Sequence, residues 1–398
     1  MSKHYDVIII GGGMVGTTLA IALAEQSNLT IALIEANITK PLAHDDKSDL
    51  RVSAITQASE TLLHNLGIWS QLMPERLSQF TEMHVWEHAK SQLHFDAADI
   101  GQAHLGHIIE NRHIQQACLL RCKDFNNIEL LCPVKPMELI GNTLVLDNGQ
   151  ELTADLIVGA DGANSVVRNW LAIDSKGWSY DQSGIVCTVT TEHPHQQTAW
   201  QRFLPEGPLA FLPLADPHQC SIVWSNSTEE AEHLCQLDDE AFKRILSRVF
   251  EHTLGHVTAV SPRAHFPLKL SHAKDYIKEG FALVGDAAHT IHPLAGQGVN
   301  IGLLDAATLA EIVLDAHTKD RKIGSLHTLS KYQRRRKGDN VAIQMTMDGF
   351  HRLFKSELAP VKWLRQLGLN SVNNSYLLKT LFMKQASGHR FANPKITK

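Results

Sequence analysis

At 398 residues the chain is long enough for two domains and a large core. Its 37 basic and 42 acidic residues leave a net charge of −5, and the 43% hydrophobic content is ordinary for a globular protein; this balance argues against a general nucleic-acid surface, although not against a local basic patch. The six cysteines (Cys118, Cys122, Cys132, Cys187, Cys220, Cys235) form no C-x-x-C pair, and no segment has the apolar length of a membrane span or the pattern of a signal peptide. Reduced thiols, no metal site and a cytoplasmic location are therefore expected.

The first element is YDVIII (Tyr5 to Ile10), a short apolar run typical of a strand buried on both faces. It feeds GGGMVG, which sets Gly11, Gly13 and Gly16 at G-x-G-x-x-G spacing, and an apolar helix pattern follows through Leu19, Ala20, Leu23 and Ala24. A second strand, TIALIE, ends at Glu35. Strand, glycine turn, helix, strand and acid in this order form a dinucleotide-binding unit: glycines permit a tight turn and close pyrophosphate approach, and the carboxylate takes ribose hydroxyls.

After a polar stretch (Lys40 to Asp49), Arg51 ends a loop, and Ser59 or Thr61 opens a helix with Leu62, Leu63 and Leu66 on its apolar face. Arg51 can reach a bound phosphate, yet an isolated arginine can equally be a solvated surface charge. Strands are expected in Met83 to Phe95, and LGHIIEN runs into a helix at Asn111 or Arg112. A β-meander turns at Asp147-Asn148-Gly149, and its last strand delivers Asp161-Gly162, with Ser165 and Arg168 at a helix start. Residues 178–266 change to short alternating runs, the pattern of an antiparallel sheet with one face covered, interrupted by a helix over Asp238 to Phe250. Trp200, Phe203, Phe211 and Trp224 on this sheet either roof an aromatic ligand or form plain core.

The stretch GDAAHTIHPLAGQGVNI (Gly285 to Ile301) follows a strand-like FALVG; a short helix is expected at AAH, Pro293 interrupts, and Gly296-Gln297-Gly298 opens a second helix through Asn300, Leu303 and Leu304. A helix start leaves N–H groups free and suits an anion, whereas Asp286 is either a ligand acceptor or a simple cap. His289 and His292 show no carboxylate partner, so packing or cofactor contact is expected for both. Beyond Leu326, helices carry basic clusters (Arg334 to Lys337; Arg352, Lys355, Lys362, Arg365), read as a helical cap with a solvated charged face, with a membrane-touching tail as the other reading.

GGGMVG with Glu35, GADGANSVVR (Gly159 to Arg168) and GDAAHTIHPLAGQGVN together resemble the class A, single-component flavoprotein aromatic hydroxylases, the family of 4-hydroxybenzoate hydroxylase. LRVSAITQAS, LGHIIEN, WQRFLPEGPLAFLPL and the Gly285 stretch narrow the likeness to the ubiquinone-biosynthesis hydroxylases, from Tyr5 to about Leu367. FDAAD, ADPHQCSIVWS and the EEA stretch near Glu230 look most like the 2-polyprenylphenol 6-hydroxylase branch. The resemblance implies an α/β fold: a Rossmann-like FAD-binding domain (1–177, with a strand-rich excursion near 80–97, and 267–326), an inserted, mainly antiparallel β-sheet substrate domain (178–266) and a C-terminal helical region (327–398). It implies that Gly11, Gly13 and Gly16 hold the FAD pyrophosphate and Glu35 the ribose. Arg51, Asp161, Gly162 and Asp286 would serve the cofactor, and Gly298, Val299 and Asn300 would face the isoalloxazine. Pro293, Gly296, Gln297 and Gly298 would border the reacting centre. Many relatives begin the helix after LGHIIEN with an FAD-contacting arginine; here Asn111 holds that position and Arg112 follows.

The implied reaction is hydroxylation of a polyprenylphenol ring at the carbon ortho to its hydroxyl, with FAD, transient NADPH or NADH, molecular oxygen and a flavin C4a-hydroperoxide. No acid or base for the phenol stands out. A membrane-soluble substrate further implies a ubiquinone-biosynthesis protein complex or peripheral contact at the inner face of the membrane. The alternatives are a sister hydroxylase acting at another ring carbon, a flavin oxidase or dehydrogenase, and a non-catalytic FAD-bound assembly component.

Overall fold

The computed structural model describes residues 2–43, 46–88, 91–290, 298–355, 379 and 393–397. Among the described residues, eight strands form a sheet whose parallel centre runs, in spatial order, Phe281–Leu283, Glu151–Gly159, Lys3–Ile10, Ile31–Ile34 and Ile128–Leu131. Ile8, Ile9, Ile31, Leu33 and Leu156 are fully buried, which explains why these strands read as unbroken apolar runs. The Met14–Ala24 helix crosses from the first strand to the second and meets the long Gly298–Thr318 helix closely: a Cβ on Gly302 would lie 2.7 Å from Val15 Cγ2.

A second sheet of nine strands is built on the long Ser175–Thr191 strand, which pairs antiparallel with Gln219–Ser227, Val257–Val260 and Ala264–Ala273. The strand-rich excursion belongs to this sheet, because Glu82–His88 pairs in parallel with Thr198–Leu204 and carries Ser91–Asp96 on its outer side. At the opposite edge His289–Thr290 pairs with Ala264–Ala273. Both flanks of the inserted sheet are thus stitched to the first domain. A third sheet joins Val52–Thr56, Gly106–Glu110 and Ser78–Phe80.

Three local expectations need correction. The helix after Arg51 starts earlier than expected, at Gln57, with extended Thr56 as its cap. The stretch at AAH is a 3-10 turn over Gly285–Ala287 followed by the short strand, because pairing to Ser271 and His272 draws the backbone out of helix. A helix at Thr228–Gln236, capped by Ser227 accepting from the Glu230 N–H, was not anticipated; with Asp239–Val249 it covers one face of the large sheet.

The aromatic residues of that sheet lie mainly under this cover. Phe211 is fully buried and stacks on Phe250 at 3.7 Å, and Trp224 packs near Phe242. The helices therefore claim Phe211 and Trp224 as core, whereas Trp200, only partly buried against that cluster, also lines a large cavity.

Candidate active site

The glycine loop contains two kinds of glycine. Gly11 has φ +114°, and a Cβ there would lie 2.3 Å from the Ala160 carbonyl; one on Gly16 would lie 2.0 Å from the Gly11 carbonyl. Close packing demands both. Gly13 has an ordinary extended backbone and nothing within 4 Å of an added Cβ. It precedes the Met14–Ala24 helix without a side-chain cap, and Gly13, Met14 and Val15 line a large cavity. An uncapped helix start facing open space is an anion cradle.

Glu35 ends the second strand beside this cradle. Its Oε2 accepts from the Gly12 N–H and its Oε1 from the Asn37 N–H, both at 2.8 Å. From the other side Gln115 Nε2 donates to the Gly12 carbonyl at 3.0 Å, a tie that sequence reading did not anticipate.

Arg51 lines the cavity with an exposed side chain, and its carbonyl accepts from the Asn111 N–H at 2.9 Å. Asn111 is the first residue of its helix and also lines the cavity, while its Oδ1 accepts from Ser53 Oγ at 2.7 Å. Arg112 turns toward Asp46 and Asp49, at 3.4 and 3.5 Å. Behind Arg51, buried Glu110 takes both Arg76 Nε and Nη2 at 2.8 Å and the Asp49 N–H at 2.5 Å. This paired, hydrogen-bonded carboxylate pins the loop that delivers Arg51.

Two further acid–glycine turns meet the cradle. Asp161 Oδ2 accepts from the Val166 and Val167 N–H groups at 2.7 and 3.2 Å, whereas its buried Oδ1 has no hydrogen-bond partner among the described residues. Gly162, at φ +79°, lines the cavity with nothing near its Cβ position. Arg168 donates to the Ala163 and Ala287 carbonyls at 2.8 and 2.9 Å, locking the Asp161 turn to the Asp286 turn. The Asp286 side chain is exposed to the cavity, with protein packed closely around it on its other sides. That surrounding low-dielectric matter raises its pKa, opposed by His289 and Arg51.

Beneath this turn lies a buried ionic network. Asp305, fully buried, bonds His289 Nε2 through Oδ2, Arg336 Nε through Oδ1 at 2.7 Å and the Gly285 N–H at 3.2 Å. Arg336, 1% exposed, also donates to Asn340 Oδ1 and Asp339 Oδ2 at 2.8 Å. Burial alone would raise the Asp305 pKa, yet His289 and Arg336 hold it at about 2. Two expectations change here. His289 does have a carboxylate partner, and the basic cluster Arg334 to Lys337 is not uniformly solvated, since Arg336 is core.

Gly298 and Val299 line the cavity. The Asn300 side chain instead turns to the Val52–Thr56 strand, donating to the Ala54 carbonyl at 2.7 Å and accepting from the Thr56 N–H at 3.0 Å. Pro293, Gly296 and Gln297, with His292, lie outside the described residues.

The cavity, about 540 Å³, extends from the cradle to the large sheet. Phe80, Met83, Pro208, Ala210, Leu212 and Phe266 form an apolar wall, and Gln201 and Ser225 add polar groups. Pro208, Ala210 and Leu212 alternate along one strand with Leu209 and Phe211, both buried on the other face.

The family described as "FAD binding domain" matches residues 4–345. The chain is 37% identical over 387 residues to "3-demethoxyubiquinol 3-hydroxylase" of Escherichia coli K12, covering 96% of this chain and 98% of that protein. It is 38% identical over 390 residues to "Ubiquinone hydroxylase UbiL" of Rhodospirillum rubrum, covering 97% and 90%. Among solved structures, p-nitrophenol 4-monooxygenase PnpA from Pseudomonas putida superposes with a TM-score of 0.77 at 16% identity, covering 98% of this chain and all of that one, a likeness of fold.

Proposed function

Since this chain belongs to the FAD-dependent ubiquinone-biosynthesis hydroxylase family and is a class A aromatic monooxygenase, we propose that it hydroxylates the phenolic ring of a polyprenylated ubiquinone precursor. The observation that carries this reading is the continuous cavity joining the Gly13 cradle to the apolar strand face at Ala210 and Leu212. An anion cradle and an apolar wall share one space.

The residues fit FAD. Gly13 leaves room against an uncapped helix start, Glu35 stands at the ribose end of the motif, and Asp161 offers a buried oxygen without a partner among the described residues. In this reading Gly11, Gly13 and Gly16 shape the pyrophosphate seat and Arg51 answers its charge. Gly162 and Asp286 border the ribityl chain, while Gly298, Val299 and the Asn300 backbone present the positive end of a helix to the ring system. Bound FAD, reduced by NADPH or NADH, supplies the oxygen activation that no side chain offers.

The protein's own contribution is placement and exclusion of water. Phe80, Met83, Leu212 and Phe266 surround the substrate ring with apolar surface, and Gln201 and Ser225 orient its hydroxyl. The Asp305 network holds the Gly285 turn, so the Asp286 carboxylate keeps its position against the cavity. No helix among the described residues is long and apolar enough to cross a membrane. A prenylated substrate is membrane-soluble, so in this reading a docking surface or a partner of the same pathway delivers it.

For the ring carbon, the strings FDAAD and ADPHQCSIVWS support 6-hydroxylation of a 2-polyprenylphenol. A second reading, hydroxylation at the position used by a 3-demethoxyubiquinol hydroxylase, is favoured by the similarity to the E. coli enzyme. Supplying FAD-loaded protein with NAD(P)H, oxygen and short-chain forms of each substrate, then locating the new hydroxyl by NMR, separates the two. Flavin oxidation that yields only peroxide with both would count against either.

A further inference from the structure

We propose that Glu60, His104 and His107 form a binding site for a divalent transition-metal ion of the zinc class, on the side of the Gly106–Glu110 strand turned away from the flavin cavity. His104 Nε2 lies 2.8 Å and His107 Nδ1 3.2 Å from one oxygen, Glu60 Oε2, and the three donor atoms all lie within 4.8 Å of one another. Two imidazoles and a carboxylate converging on one point are a donor set that zinc, cobalt and nickel accept, and three protein ligands leave a further coordination position. His64, one helical turn after Glu60, holds its Nε2 3.9 Å from Glu60 Oε1 and is the nearest candidate for that position; otherwise water fills it.

The surroundings favour an assembled site over a chance ion pair. The ligands come from three places: the Gln57–Asn65 helix, the loop before the strand, and the strand itself. Gln57 Nε2 donates to the His104 carbonyl at 2.6 Å, fixing the loop from the same helix that carries Glu60. Trp69 stacks on His64 at 4.8 Å and meets His107 edge-on at 5.0 Å, limiting how both rings turn. The side chains of Glu60, His104 and His107 are 15, 20 and 11% exposed, dry enough to favour coordination and open enough for an ion to enter.

The position gives the ion a structural task. His107 is adjacent to Ile108, which lines the cavity, and the Glu60 helix directly follows the strand carrying Ser53 and Ala54, also cavity-lining. A bound ion therefore clamps helix, loop and strand immediately behind the cavity wall. Because the ligands assemble only in the folded chain, binding must stabilise the fold. Sequence reading missed the group because its members, spread over 48 positions and without C-x-x-C or H-x-x-x-H spacing, meet only through tertiary pairing.

The test titrates the FAD-loaded protein with Co²⁺, following cobalt d–d absorption to the red of the flavin band, with Zn²⁺ as competitor and thermal unfolding as a second readout. The expected result is one saturable, zinc-displaceable site, and a rise in Tm with Zn²⁺. Affinity should fall by at least about tenfold in Glu60→Gln and in His107→Asn, as loss of a direct ligand must exceed typical outer-shell losses. Retained FAD content in either variant establishes that it has folded. Absence of a saturable cobalt band in the wild-type protein, or the same band at unchanged affinity in the folded variants, would overturn the proposal.

Discussion

Gly13 and Gly16 belong to one sequence motif but do different work, and substitution should separate them. Alanine at Gly13 meets no protein atom and fits the existing backbone, so the variant should fold with an unchanged melting temperature. Its methyl group would occupy the cradle and weaken FAD binding about tenfold or more, some 1.4 kcal/mol, measurable by flavin titration. Alanine at Gly16 would drive into the Gly11 carbonyl and should destabilise the apoprotein itself by about 1–3 kcal/mol. Asp305→Ala should be more damaging, at about 3–5 kcal/mol, because it leaves Arg336 charged and buried without its main partner; urea unfolding measures this. Glycines and Glu35 were legible in the sequence because their geometry is local and their spacing is fixed by one turn. Gln115, Arg168, Asp305 and Arg336 were not. Gln115, Arg168 and Asp305 each reach a turn distant in sequence, and Arg336 reaches Asp305 on another helix while standing among three other basic residues that conceal its burial.

At the scale of elements, the alternation along Gly207–Pro213 separates a cavity face from a core face. The aromatic residues drew attention in the sequence because of their size, but the helices Thr228–Gln236 and Asp239–Val249 cover that side, and a helix cover is not written into a strand's own pattern. On this strand Pro208, Ala210 and Leu212 are left to shape the cavity. Ala210→Phe should therefore fill the substrate end, raising KM for the ring substrate while FAD content stays unchanged; steady-state kinetics with flavin quantification would check this. The Ala264–Ala273 strand carries a pH-sensitive group. Burial, with the nearby charges of His289 and Lys337, lowers the His272 pKa from 6.5 to about 4, despite Gln344 and Asp305, which favour its cation. Between these values the unfolded chain binds more protons than the folded one, so stability falls as pH drops from about 6.5 to about 4. The His272 share is at most about 3 kcal/mol and is reduced by solvent screening at this half-buried site. Urea midpoints should show this slope in the wild-type protein, and it should flatten in His272→Gln.

For the molecule as a whole, the two-sheet plan was readable because parallel and antiparallel strands bury different numbers of faces and so leave different hydrophobic periods. Its joints were not. The pairing of Glu82–His88 with Thr198–Leu204, and of His289–Thr290 with Ala264–Ala273, depends on long-range register rather than local pattern. The Leu326–Lys355 helix is also an integral part of the flavin-binding half: Tyr332 is fully buried and donates to the Leu283 carbonyl at 2.8 Å, and Arg336 completes the Asp305 network. Removing the chain after Leu326 should unfold that half and abolish FAD retention, so membrane binding by the basic segment is better tested with surface substitutions such as Arg334→Ala.

The central claim is that one cavity brings a flavin and a phenolic ring together for oxygen insertion. Its most direct test is turnover of FAD-loaded protein with NAD(P)H and ¹⁸O₂ in the presence of a short-chain polyprenylphenol, with isotope in the product read by mass spectrometry. The account predicts one ¹⁸O atom on the ring for each reductant consumed in coupled turnover, with Ala210→Phe reaching it only at higher substrate concentration. A ring product free of ¹⁸O, or peroxide as the sole oxygen product with every polyprenylated phenol offered, would contradict it.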